Sequence, residues 1–393
     1  MADIYLDNNA TTKVDPLVVE AMLPYLKDHF GNPSSAHVYG KAAHQAVDRA
    51  RGQVANLLGA QPDEIVFTGG GTEATNHALN GTVLGRLLGK RSRLGTVLNV
   101  LFRQNAAVVT SAVEHPATAQ VCDFLARLGC PIVVLEVDNT GRIDPDDVRR
   151  ALKRPTAIVS IMHANNEVGT LQPIAEVAKI CKEHGVPLHT DAAQSIGKVP
   201  VNVNDLSVDL LTVAGHKLYA PKGVGAIYIR RGQQLEPFIH GAGHEGGRRA
   251  GTENVPHIVG LGTACEIIGR TLTESAVRLR ALRNRLWDRL RNALGDHVVL
   301  NGHATERLPN TLNVSFVGCV GSELLEAVPE IAASTGSACH EGKVTQSPVL
   351  CAMRVNPNIG KGAVRLSVGR FTTEEEVDRA ADYLIAGAKR MRK

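Results

Sequence analysis

The chain holds 393 residues, enough for one large core and a smaller companion domain. Its 43 basic and 39 acidic side chains leave a net charge of +4 without a basic block, and only 4% of residues are aromatic, so nucleic acid is not an expected direct partner. No apolar run reaches the roughly 18 residues that cross a bilayer, and no membrane association is expected.

The first stretch, "MADIYLDNNATTKVD", has no basic-then-apolar leader, which predicts a cytoplasmic protein if the source is bacterial or archaeal. From about residue 64 to 230 short apolar strands alternate with helical patterns, the signature of a mainly parallel sheet covered on both faces. "EIVFT" runs through "GGGTEATNHALNG" into a helix. "AAVVTS", "IVVLEV", "AIVSIMHA", "PLHTDAA", "DLLTVAG" and "GAIYIR" follow, about seven strands in all. The glycine-rich "HGAGHEGGRRAGTENVP" interrupts this pattern, and a long helix is expected over about 257–295. Within it Leu279, Leu282, Leu286 and Leu290 recur at helical spacing, with the arginines of "RLRALRNRLWDRLR" expected on the wet face. The strands "TLNVSFVG" and "VRLSVGR" and a final helix from about 373, with Thr373 and Glu376 at capping-box spacing, complete the chain. The pattern divides into a large α/β domain over 15–256 and a smaller α+β domain built from 1–14 with 257–393.

Seven cysteines, at 122, 130, 181, 265, 319, 339 and 351, include no Cys-x-x-Cys pair. Neither a disulfide framework nor a metal site is expected. Cys339 stands apart, in the small and polar stretch "ASTGSACHEGKVTQSPVL", which reads as an exposed loop where a thiolate has access to a substrate sulfur or selenium. The other six lie in helical or strand patterns suited to burial.

Several polar residues fall where strands end. "TVAGHKLYAPKG" closes an apolar strand with His216 and Lys217; such a lysine is either a solvated strand terminus or the amine that forms a Schiff base with a carbonyl cofactor. In "FTGGGTEATN", Gly71 and Thr72 open a helix whose free N–H groups suit a phosphate, although the loop taken alone reads first as a tight turn with a capping Thr. Asp191, in "PLHTDAAQSIG", ends a strand where ligands of open α/β sheets collect, and it either caps a helix or holds a pyridinium nitrogen protonated. His115, in "SAVEHPAT", falls at the same expected edge, where an imidazole can stack on a ring or move protons. Arg365, in "AVRLSVGR", is either an outward edge charge or a bidentate carboxylate grip.

Together with "YLDNNATT", "FGNPSS", "MHANNEVG", "GTEN" and "GSAC", these stretches resemble, nearly end to end, the cysteine desulfurase and selenocysteine lyase family of fold-type I enzymes that use pyridoxal 5'-phosphate (PLP). The resemblance implies a PLP-dependent homodimer with a large seven-stranded domain and a small domain carrying the cysteine loop. It makes Lys217 the Schiff-base lysine and His115 the residue stacked on the ring, shuttling protons. Asp191 would pair with the ring nitrogen, Gln194 with the ring hydroxyl, and Asn166 with the ring hydroxyl and substrate carboxylate, which Arg365 grips. Gly71, Thr72 and His216 would hold the phosphate, and Thr252 would reach the phosphate of the neighbouring subunit. L-cysteine would become L-alanine while Cys339 takes its sulfur as a persulfide and passes it to a sulfur-acceptor protein, with iron–sulfur cluster assembly one destination.

One position departs from the pattern. Many desulfurases carry a serine two residues before the His-Lys pair as a phosphate ligand, and here that residue is Ala214, which leaves Thr212 or water to supply the bond. Selenocysteine lyases also carry an apolar residue there, so release of selenide from L-selenocysteine is the alternative activity. A PLP aminotransferase or epimerase-like relative would need Lys217 and Asp191 but not Cys339, and a scaffold that lost its chemistry would bind no cofactor.

Overall fold

The computed structural model describes residues 3–88, 106–335 and 346–392. The chain enters along β1 (Ile4–Tyr5) and continues into α1 (Pro16–Lys27) and α2 (Val38–Leu58). Asp15 caps α1 by accepting from the Leu17 N–H, and Gly59, at φ 67°, ends α2 in the left-handed region open to glycine.

Seven strands then form one sheet: β2 (Ile65–Thr68), β3 (Ala107–Ser111), β4 (Ile132–Leu135), β5 (Thr156–Ser160), β6 (Leu188–Asp191), β7 (Leu210–Ala214) and β8 (Gly225–Ile229). Their spatial order is β2-β8-β7-β6-β5-β3-β4. Only β8 runs against the others, antiparallel to both β2 and β7, so the mainly parallel seven-stranded sheet expected from the alternation is present. The helices α3 (Gly71–Leu88), α4 (Pro116–Arg127), α5 (Pro145–Ala151) and α6 (Ile174–Glu183) make the crossovers. Strands buried on both faces need no alternation, which is why "AVVTS", "LHTD" and "LLTVA" are buried throughout.

The 40-residue helix α7 (Val255–Leu294) packs on α1 and α2 with its first half, burying Val255, Ile258, Leu261 and Ile268 in the core under the sheet. Its second half buries Leu279, Leu282, Leu286, Leu290 and Leu294 in a second core. That core is completed by an antiparallel sheet of β9 (Val298–Asn301), β10 (Thr311–Phe316) and β12 (Ala363–Ser367), in the order β12-β10-β9, and by Ile4 and Leu6. β11 (Ile331–Ala332) pairs in parallel with β1. Between them lie α8 (Gly321–Glu326), α9 (Pro348–Ala352) and α10 (Pro357–Gly360); the closing helix α11 (Glu374–Met391) begins with the Thr373–Glu376 capping box.

Two expectations need correction. Arg283 is not on the wet face of α7: four residues from Leu279 and beside Leu282, it points inward and donates to the Leu308 carbonyl at 3.1 Å. Cys351 is exposed, because the single turn of α9 turns Val349 and Leu350 into the core and leaves the next residue outside. Cys122, Cys181, Cys265 and Cys319 are buried as expected, and burial pushes the thiols of the first three up to about 12. No helix among the described residues is long and apolar enough to cross a membrane, and none of their His, Cys, Asp and Glu side chains cluster as a metal site would need.

Candidate active site

Five strands, β2, β3, β5, β6 and β7, deliver polar residues to one carboxyl-terminal edge of the sheet, where open α/β sheets bind ligands. Gly71 and Thr72 follow β2, His115 follows β3, Asn166 follows β5, Asp191 and Gln194 lie at the end of β6, and His216 and Lys217 follow β7. All eight line one cavity, together with Ala193, Ala214 and Met162. Residues far apart in sequence thus converge because parallel strands bring their ends to the same side.

Lys217 sits in a short 3-10 turn directly after β7 and is largely withdrawn from solvent. Burial pulls its pKa below the usual lysine range, Arg365 pulls it the same way, and Asp191 and Asp7 oppose the shift. The amine is thereby more nucleophilic near neutral pH. Asp191 accepts from the Ala193 N–H at 2.9 Å through Oδ1, which leaves Oδ2 for a ligand.

His115 caps α4, its Nδ1 accepting from the Ala117 N–H at 3.1 Å. A neutral ring bound in this way carries its proton on Nε2. Burial, reinforced by Lys217, lowers its pKa, while Asp191 acts in the opposite sense. His216 stands 3.2 Å from Thr11 Oγ1 through Nδ1, and burial together with nearby Lys217 and Lys222 pushes it down to about 4, so it is a neutral ring in a positive field.

At the start of α3 the first-turn N–H groups have no partner within the helix. A Cβ on Gly71 would stand 3.0 Å from the Ala214 Cβ, so glycine is what lets the helix start come this close to β7. Thr212 does not supply the hydroxyl that Ala214 lacks. It is fully buried, and its Oγ1 is engaged by Thr75 Oγ1 at 3.1 Å and His189 Nε2 at 3.0 Å.

The remaining sequence candidates lie elsewhere. Arg365, on β12, is not part of the cavity wall; it reaches the site indirectly, donating to the Asn166 carbonyl at 3.1 Å and to Asp7 Oδ1 at 2.7 Å. Its Nε is buried without a partner among the described residues. Thr252 is exposed in the loop before α7 and does not line this cavity. That loop is held to α3 by Arg249, paired with Glu73 at 2.8 Å. Cys339 lies outside the described residues.

Sequence reasoning missed a layer of supporting groups. Asn9 donates to the Asn166 carbonyl (3.2 Å) and Thr311 Oγ1 (2.8 Å), and its own carbonyl accepts from Gln194 Nε2 (2.9 Å). Lys198 donates to Gln194 Oε1 at 2.9 Å. Glu114 joins two strand ends, its Oε1 accepting from Ser111 Oγ (2.6 Å) and the Met162 N–H (2.9 Å); burial raises it to about 8. Glu167, raised to about 7 by burial, bonds the hydroxyl of Ser347, the residue that caps α9. The one available signal was "YLDNNATT", in which paired asparagines follow an apolar strand.

The donor set fits a phosphate-bearing pyridine aldehyde. A helix start and a neutral histidine face one end, a carboxylate oxygen is available for a ring nitrogen, and an amine of lowered basicity suits a carbonyl carbon.

The family model described as Aminotransferase class-V matches residues 4–380. The chain is 42% identical over 384 residues to "Cysteine desulfurase IscS" of Dictyoglomus turgidum, covering 97% of this chain and 93% of the relative. Among solved structures, a NifS-like protein superposes with a TM-score of 0.87 at 37% identity, covering 98% of this chain and 99% of the other. Another, titled "SspA in complex with cysteine", has a TM-score of 0.80 at 34% identity, with 94% and 100% covered.

Proposed function

Because the chain belongs to the class-V aminotransferase family of PLP-dependent enzymes, we propose that it is a cysteine desulfurase, with L-cysteine as substrate and L-alanine as product. The observation that carries this reading is the convergence of Lys217, Asp191 and the open start of α3 on one cavity. PLP, when bound, supplies an electron sink through its protonated ring.

The chain's own residues do the rest. The α3 start, Thr72 and His216 would hold the phosphate, and Asp191 Oδ2 would pair with the ring nitrogen and keep it protonated. Gln194 and Asn166 would face the ring hydroxyl. Lys217 would be the amine that carries the cofactor and, with its lowered basicity, the group that moves the substrate's α-proton. His115 would stack on the ring and would donate from Nε2, because the Ala117 N–H occupies its Nδ1. Arg365 would be the carboxylate grip for a substrate that reaches past Asn166, whose carbonyl orients the guanidinium together with Asp7. The Cys339 thiolate attacks the substrate sulfur, the carbon–sulfur bond breaks toward carbon, and a proton completes alanine. The sulfur remains as the Cys339 persulfide.

We extend the proposal to a homodimer in which Thr252 serves the partner's phosphate. Its exposure away from its own cavity supports this. The persulfide then goes to an acceptor protein, with iron–sulfur cluster assembly as the destination suggested by relatives named IscS. A second reading, selenocysteine lyase, is favoured by Ala214 alone. Alanine release from L-cysteine and L-selenocysteine, measured side by side, separates the two. Turnover of cysteine is expected, and turnover of selenocysteine with negligible cysteine turnover would replace the first reading by the second.

A further inference from the structure

Lys198 lies in the turn after β6, four residues beyond Gln194, and is only 6% exposed. An amine buried that deeply is costly unless its N–H groups are bonded. Its Nζ donates to Gln194 Oε1 at 2.9 Å and to Asn9 Oδ1 at 3.4 Å, and no carboxylate among the described residues shares in these bonds. Burial, with the cations of Lys217 and Arg365 adding to it, holds the amine well below the usual lysine range. Two acceptors meet its N–H donors.

The consequence falls on Gln194. Its Oε1 is taken by Lys198, and one Nε2 hydrogen goes to the Asn9 carbonyl at 2.9 Å. Asn9 is itself fixed, with Oδ1 accepting from Asn310 Nδ2 at 3.0 Å and its N–H donating to Ser367 Oγ at 2.9 Å. What Gln194 has left for the cavity is one N–H. The flipped amide would set its NH2 against the Lys198 donors and its oxygen against the Asn9 carbonyl.

We propose that Lys198 is a positioning residue that holds the Gln194 amide with an N–H, not a carbonyl, turned to the ring of the bound cofactor, and so sets how tightly the cofactor holds its titrating proton. The inference rests on the PLP reading above. An N–H donated to the ring oxygen withdraws charge from it and weakens its hold on the proton it shares with the linkage to Lys217. Among the described residues the other charged or titratable groups facing this point are Lys217, Arg365, Asp191, Asp7, His115 and His216. None of them contacts Gln194 Oε1, so none substitutes for Lys198.

The test is a pH titration of the visible absorbance of the holoenzyme, with a melting curve as the control for folding. Lys198→Met shortens the side chain by one atom and removes its donors. The midpoint is expected to rise by about half a unit to one unit, the equivalent of one hydrogen bond. Gln194→Ala is expected to raise it by a similar amount, and the double variant no further than Gln194→Ala alone, because both changes remove one interaction. A folded Lys198→Met with the wild-type midpoint, or shifts that add in the double variant, would overturn the proposal. If Lys198→Met does not fold, Lys198→Leu, which also lacks a donor, takes its place with the same expected rise. Failure of both to fold would assign Lys198 to scaffold support and equally overturn it. A wild-type protein that stays colourless with PLP at every pH would contradict the PLP reading itself, an outcome separate from these.

Discussion

Arg283 and Arg307 in the second core and Lys217 at the edge of the seven-stranded sheet are all cationic side chains largely withdrawn from water, but their surroundings differ. The arginines line a cleft of about 870 Å³ beside Trp287, and no carboxylate pairs with either among the described residues. Arg307 donates to the carbonyls of Val168 at 3.0 Å, Thr311 at 3.1 Å and His303 at 3.3 Å, and so fastens three backbone segments together. Burial with no counter-charge pulls it down to about 9, and Arg283 adds to the shift. At the sheet edge Lys217 faces Asp191 across a cavity, with a helix start and two histidines around it. Buried cations held by carbonyls stabilise a shape; a buried amine facing a carboxylate and open space is arranged for a ligand. The difference lies in the partners, since burial is common to both.

The comparison breaks most visibly at Lys217. Lys217→Ala is expected to abolish the visible band of the cofactor and to lower alanine release at least about a thousandfold, with a melting curve close to wild type. Retention of the band would remove Lys217 from the role assigned to it.

Arg307→Ala should do the reverse. Loss of its three carbonyl contacts is expected to cost about 2–4 kcal/mol in a denaturant titration while the visible band persists. A variant of native stability would show that the cleft, and not the carbonyls, is what Arg307 serves.

Glu114 sharpens the contrast from the acidic side. It ionises near pH 4.5 when unfolded and near 8 in the fold, so the folded chain holds an extra proton between those values. Stability from this source is complete below about pH 4.5 and is lost as pH rises through 8, at no more than about 1.4 kcal/mol per pH unit. Glu114→Gln keeps an acceptor for Ser111 and Met162. Its melting temperature should therefore gain on the wild type from pH 5 to 8 and level off above that. A constant difference across this range would place the proton elsewhere.

The smallest effect is expected at Cys351, an exposed thiol with no contact to the cavity. Cys351→Ser should leave cysteine turnover within about twofold of wild type. A large loss in steady-state assays would make it a second sulfur carrier.

The sheet and most of the cavity were legible because strand ends carry their chemistry locally. "GHK" after one strand, "HTDAAQ" after another and "GGGT" before a helix each mark an edge position from a few adjacent residues. The supporting groups were not legible, because their partners are remote. Asn9 meets Gln194 and Thr311 only when the N-terminal segment lies between the sheet edge and the second core. Arg283 read as a surface arginine because composition hides which way one residue of a helix turns. Thr212 seemed available to a phosphate until the buried chain of Ser160, His189, Thr212 and Thr75 accounted for its hydroxyl.

The central claim is that sulfur leaves the substrate onto Cys339. The direct measurement is a single turnover of the PLP-loaded protein with L-cysteine and no reductant, counting alanine released and sulfur bound to the peptide that carries Cys339. The account predicts one sulfur on that peptide for each alanine, and neither product from Cys339→Ala. Undiminished alanine release from Cys339→Ala, with sulfur on no cysteine, would contradict it.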